Sequence, residues 1–79
     1  MDKTVIKALN ALEFLCETAH PIGVTELAKE FRLVKSNAHR VLTTLVSLGY
    51  LRKHDDGKYS PTLKVWELGT LIVSRLDLV

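Results

Sequence analysis

Only the four residues "RLVK" separate two stretches of helical periodicity, and that short connection constrains the fold more than any other feature of the chain. On its N-terminal side "ELAKEF" follows Thr25, which suits a helix N-cap, and Glu26 stands in the first turn at the positive end of the dipole. On its C-terminal side Ala38, Val41, Leu42, Leu45 and Leu48 fall at the i, i+3, i+4, i+7 spacing of a one-sided helix. Ser36 stands where that helix needs an N-cap. Gly49 follows the last periodic residue, where a left-handed stop costs glycine little. Two short helices joined this tightly cannot lie antiparallel over much length, which is the helix-turn-helix arrangement.

The remaining elements fit around that pair. A first helix is predicted from about Asp2 or Thr4 to Glu17, with Val5, Ala8, Leu9, Leu12, Leu15 and Cys16 on one side. "HPIG" breaks it, because Pro21 disfavours helix at His20, and Ile22 to Val24 is long enough for a very short strand. After Gly49 the period moves toward 2. "YLRKH" and "KYS" flank "DDG", a hairpin signal, and Pro61 ends the second strand. The final segment, residues 62–79, is helical but apolar nearly all round. Val65, Leu68, Ile72, Leu76 and Val79 form one stripe, while Trp66, Leu71 and Val73 point elsewhere.

So small a domain has one core to offer, and a second surface is needed for this helix. Val65, Trp66, Leu68, Ile72, Val73 and Leu76 are therefore expected at a homodimer interface, or under a further domain into which the helix continues. The chain reads as mainly α: a winged helix-turn-helix over residues 1–61, with a three-helix core and two-stranded β wing, then a linker and dimerisation helix over 62–79.

Charge is unevenly placed. Residues 32–54 hold Arg32, Lys35, Arg40, Arg52 and Lys53 and no acid, while the remainder sets six basic residues against nine acidic ones, a balance of −3. Such segregation fits a surface that faces nucleic acid, or equally a solvated basic patch. The lone Cys16 rules out an internal disulfide and is compatible with a reducing cytosol. Neither a signal-peptide core nor a membrane span is visible, so a cytoplasmic protein without membrane contact is expected.

The third helix turns Ser36, Arg40, Thr43 and Ser47 away from its apolar stripe, with His39 and Thr44 flanking them and Asn37 at the edge of the first turn. A solvated helix would usually mix glutamate with lysine at i,i+4. This one offers short hydrogen-bonding side chains around one arginine, which suits the major groove of duplex DNA. Arg40 is the best match for a bidentate guanine contact. Asn37, His39, Thr43 and Thr44 are candidates for base or phosphate contacts, and Lys35 and Ser36 for a phosphate at the helix N-terminus. Arg52, Lys53, His54 and Lys58 place further candidates on the wing. The plainer readings are a capping Ser36, a packed His39, and Lys53 and Lys58 that merely keep a hairpin edge soluble.

A winged-helix module that binds a protein instead of DNA is the alternative. Catalysis is not expected, since Ser36 and His39 lack a nearby acid to orient the imidazole. His20, His39, His54 and Cys16 lack metal-ligand spacing, and no glycine loop cradles a phosphate, so no metal or cofactor is expected.

"VIKALNALEFL", "GVTELAKEF", "KSNAHRVLTTLVSLGYL" and "KYSPTLKVWELG" together resemble the N-terminal DNA-binding domain of the isocitrate lyase regulator (IclR) family over essentially the whole chain. The resemblance implies dimers on palindromic operators. It also implies a small-molecule effector bound by a C-terminal domain, absent here, that the last helix would join. It carries the family's reading helix onto Ser36 to Ser47, with contacts at Ser36, Asn37, His39, Arg40 and Thr43, and its wing onto Arg52 to Tyr59. Arg32 and Val34 stand where the family commonly has glycine and proline, and Asn37 replaces a usual threonine. A positive φ at Arg32 would carry a steric cost that glycine avoids.

Overall fold

Asp2 opens the first helix, α1 (Lys3–Glu17), by accepting from the Thr4 and Val5 amides at 2.8 and 3.2 Å through its carboxylate. The structure is a computed structural model and describes residues 1–76. After α1 come α2 (Val24–Phe31), α3 (Lys35–Ser47), β1 (Leu51–Lys53), β2 (Tyr59–Pro61) and α4 (Lys64–Arg75). This is the mainly helical winged helix-turn-helix expected: three core helices, a two-stranded wing and a C-terminal helix. Val79 of the expected apolar stripe lies outside the described residues.

α3 packs against both α1 and α2, and the wing closes the open end. Leu27 and Ala28 from α2, Ala38, Val41, Leu42 and Leu45 from α3, and Ala11 and Leu15 from α1 are buried together with Ile22, Leu51 and Tyr59. Ala28 and Ala38 are small, which lets the two helices of the tight turn approach closely. Phe14 meets Phe31 edge to face, ring centroids 5.6 Å apart, and ties the end of α1 to the end of α2.

The turn between α2 and α3 is made by Arg32, whose φ of 53° and ψ of 46° are left-handed. Its amide and that of Leu33 both donate to the Ala28 carbonyl, and Leu33 does so at 2.9 Å. No other non-glycine among the described residues has a positive φ. Replacing Arg32 by glycine is expected to stabilise the domain by about 0.5–1 kcal/mol, the steric relief exceeding the added freedom of the unfolded chain. A higher urea midpoint at unchanged slope would register this; an unchanged or lower midpoint would mean that the arginine side chain contributes more than its strain costs.

Both helices of the turn begin two residues earlier than the sequence suggests. Gly23 and Val34, not Thr25 and Ser36, occupy the N-cap positions, neither with a side-chain cap bond. The left-handed Arg32 completes the reversal so quickly that Val34 is already extended, and its carbonyl accepts from Ala38 at 3.1 Å. Ser36 therefore lies inside the first turn of α3. The strand expected at Ile22 to Val24 shrinks to a single bridge, in which Ile22 and Tyr59 exchange backbone hydrogen bonds of 2.8 Å each way. Val24 has by then entered α2.

α1 also turns differently from expectation. It buries Ala11 and Leu15 and half-buries Ala8 and Leu12, whereas Val5, Leu9 and Cys16 are exposed. α1 has two apolar sides, and α3 and β2 cover the one that carries Ala11 and Leu15. The end of α3 agrees with its sequence. Gly49 at φ 89° donates to Val46 and Tyr50 donates to Leu45, a paired C-terminal stop.

The wing pairs Leu51 with Pro61, Arg52 with Ser60 and Lys53 with Tyr59, antiparallel. Its loop is Asp55–Asp56–Gly57, closed by Gly57 donating to His54 and by His54 donating to Lys58. Gly57 takes the left-handed position that a three-residue loop requires, at φ 84°.

Candidate nucleic-acid interface

Burial of Ala38, Val41, Leu42 and Leu45 fixes how α3 is rotated, and that rotation leaves Lys35, Ser36, His39, Arg40, Thr43 and Thr44 exposed. Asn37 is half-buried, consistent with its place at the edge of the first turn. Ser47 turns its hydroxyl back onto the Thr44 carbonyl at 2.7 Å. The one ion pair among the described residues joins His20 to Glu26 at 3.9 Å. Among the described residues, then, no lysine or arginine pairs with a carboxylate, and that holds for the acid-free segment too.

On the wing, Arg52 and Lys53 are exposed, and the Lys53 ammonium lies 5.9 Å from the centre of the Tyr59 ring. His54 is engaged differently: its Nε2 is 2.7 Å from the Ser60 hydroxyl, across the hairpin, and the residue is half-buried. Lys58 is exposed at the far side of the loop, and a Cβ placed on Gly23 would meet its Cγ at 3.8 Å.

That last approach was not legible in the sequence. The Ile22–Tyr59 bridge draws the wing against the start of α2, so that Thr25, Lys29 and Lys58, together with the acids Glu26 and Asp56, line one shallow groove around Gly23 and Gly57. Thr25 and Lys29 thereby join Lys58. The only sequence signal was the short strand-like stretch before α2, and it did not say what the stretch would pair with.

Five of the six residues expected at a second interface lie in α4 and the sixth, Leu76, is its C-cap; the helix contains no buried residue. Val65, nearest the domain, is half-buried. Trp66 is 65% exposed, and Leu68, Ile72, Val73 and Leu76 are exposed as well. Leu63 and Leu71 widen the apolar surface.

The described residues hold no group of three His, Cys, Asp or Glu side chains arranged to grip a metal, and no helix among them is long and apolar enough to cross a membrane. The Cys16 thiol is pushed up from its ordinary value by desolvation, then by the carboxylates of Glu17 and Glu13, which lowers its thiolate fraction. What the arrangement offers chemically is hydrogen bonding and positive charge: donors, acceptors and a guanidinium along one helix, with further cations on an adjoining hairpin.

Residues 4–55 match the IclR helix-turn-helix domain family. Among curated proteins the chain is 39% identical over 77 residues to the HTH-type transcriptional regulator KdgR of Dickeya chrysanthemi, covering 96% of this chain and 25% of that protein. It is 38% identical to KdgR of Escherichia coli, covering 96% and 29%. Among solved structures, an IclR family transcriptional regulator from Brucella abortus superposes with a TM-score of 0.86 at 30% identity, over 96% of this chain and 29% of that one. The chain thus spans about a quarter to three tenths of the length of these relatives.

Proposed function

The chain belongs to the IclR helix-turn-helix family, and from that premise we propose that it reads double-stranded DNA sequence-specifically, as the DNA-binding domain of a transcriptional regulator. Two copies would act together on a palindromic operator, joined through the apolar surface of α4 over Val65, Trp66, Leu68, Ile72, Val73 and Leu76. Residues 1–61 are the reading unit and 62–79 the linker to the rest of a longer regulator, whose further domain would take the small-molecule effector. The cytoplasm is the compartment this role implies.

The observation that carries the reading is the outer face of α3, which is exposed, free of acids and bordered by cations that pair with no carboxylate among the described residues. Arg40 is the base reader, able to fork onto guanine O6 and N7. Asn37, His39, Thr43 and Thr44 surround it with shorter hydrogen-bonding groups. Lys35 and Ser36, in the first turn of α3, serve a phosphate. Arg52, Lys53, His54 and Lys58 carry the wing along the backbone or into the neighbouring minor groove.

Selection of the purified chain against randomised duplex DNA at physiological salt tests the proposal. The expected outcome is an enriched palindrome whose half-sites are spaced by whole helical turns. Retention without enrichment, lost as salt rises, would leave only backbone attraction and would favour an acidic protein partner instead.

A further inference from the structure

α4 makes no extended packing with any other element of the described residues, so its direction must be set where it begins. There the contacts converge on the C-terminal end of α3. The Lys64 ammonium donates to the Leu48 carbonyl at 2.9 Å and sits 4.7 Å from the centre of the Tyr50 ring. Its stem runs past Gly49, where a Cβ would meet Lys64 Cδ at 3.7 Å. Thr62 holds the preceding backbone: its hydroxyl donates to the Gly49 carbonyl at 2.6 Å, its amide donates to Tyr50 at 2.9 Å, and its oxygen accepts from the Lys64 amide at 3.2 Å.

The chemistry suits a fixed joint. Leu48 is the C-cap residue of α3, so its carbonyl lies among the groups that the end of a helix leaves without an intrahelical partner. A cation placed there also meets the negative end of the helix dipole. The tyrosine face is a second, independent attraction for the same ammonium. One side chain of α4 thus closes the reading helix and is itself gripped by the two residues that follow it.

We propose that Lys64 is a positioning residue that locks the departure angle of α4 to the axis of α3. Resting on the dimeric DNA-reading role above, this joint sets the distance between two reading helices, and hence the spacing of half-sites the protein accepts. In this role Lys64 acts through the end of α3, the Tyr50 ring and α4 rather than through DNA.

The test pairs a measurement without DNA with one on DNA. Nitroxide labels at Ser47→Cys and Ser74→Cys, in a Cys16→Ser background diluted with unlabelled chain, report the α3–α4 distance within one chain. A narrow distribution is expected, broadened by Lys64→Met and restored to narrow by Lys64→Arg. On duplexes built from the selected palindrome, Lys64→Met is expected to shrink the preference for the native spacing over a one-base-pair insertion by about tenfold, equivalent to about 1.4 kcal/mol. Affinity for a single half-site stays unchanged. A distance distribution that Lys64→Met leaves narrow overturns the joint, whatever happens on DNA. Equal losses at every spacing overturn the link to half-site geometry. If the unaltered chain selects no palindrome, the DNA-reading role fails and the spacing claim with it, while the label distances still decide the joint.

Discussion

Replacing Arg40 by alanine is expected to weaken binding to the selected operator by about 1–3 kcal/mol per half-site and to relax one base position in each. Arg40 lies on the exposed side of α3 while its neighbours Ala38, Val41 and Leu42 are buried, so the guanidinium is presented outward by the packing of the helix itself. No carboxylate among the described residues holds it. Binding a base therefore breaks no ion pair, and the planar donor fork meets the two acceptors of guanine directly. Lys53→Ala supplies the contrast: a wing lysine on a phosphate should weaken all sequences alike and flatten the salt slope by about one unit. Titrations on matched and scrambled duplexes at several salt concentrations separate the two. Equal losses on every sequence from Arg40→Ala would remove its base-reading role.

The second large effect concerns the same helix from behind. Leu42 is 0% exposed, in the core that α3 shares with α1 and α2. Leu42→Ala is expected to lower unfolding stability by about 2–5 kcal/mol, combining lost burial with the cavity left. Against the roughly 5–15 kcal/mol typical of whole domains, that is a large share. Urea unfolding followed by helical dichroism gives the value. Operator DNA should restore part of the loss, because it binds only the folded form. A loss under about 1 kcal/mol would mean that the neighbouring helices collapse onto the vacancy and that Leu42 is not central to the core.

Local chemistry made much of this molecule legible. The α3 stripe from Ala38 to Leu45, the Gly49 stop and the Asp-Gly turn each depend on neighbours a few residues away, and each is found where the sequence puts it, while Leu48, the last expected member of the stripe, is 55% exposed. Two local expectations failed, since Gly23 and Val34 rather than Thr25 and Ser36 take the N-cap positions; the rest of what escaped depends on distant partners. α1 carries apolar residues on two sides, and only the packing of α3 and β2 decides that Ala11 and Leu15 go in while Val5 and Leu9 stay out.

The candidate site divides in the same way. The exposed residues of α3 follow from helical period alone. The His54–Ser60 contact needs the strand register, which a three-residue loop fixes, and the approach of Lys58 to Gly23 needs the bridge at Ile22. Lys64 shows the limit most plainly. In sequence it is one lysine near the start of a helix; in space it ends another helix sixteen residues back.

The empty places on α3 carry a consequence of their own. Ser36 sits in the first turn, four residues before Arg40, where Ser36→Glu would meet both the positive helix end and the guanidinium. Such a change would steady the isolated helix by a few tenths of a kcal/mol while setting a negative charge against a polyanion. Thermal robustness and affinity thus pull this surface in opposite directions. Screens for hardier variants would be drawn to the substitutions that silence it.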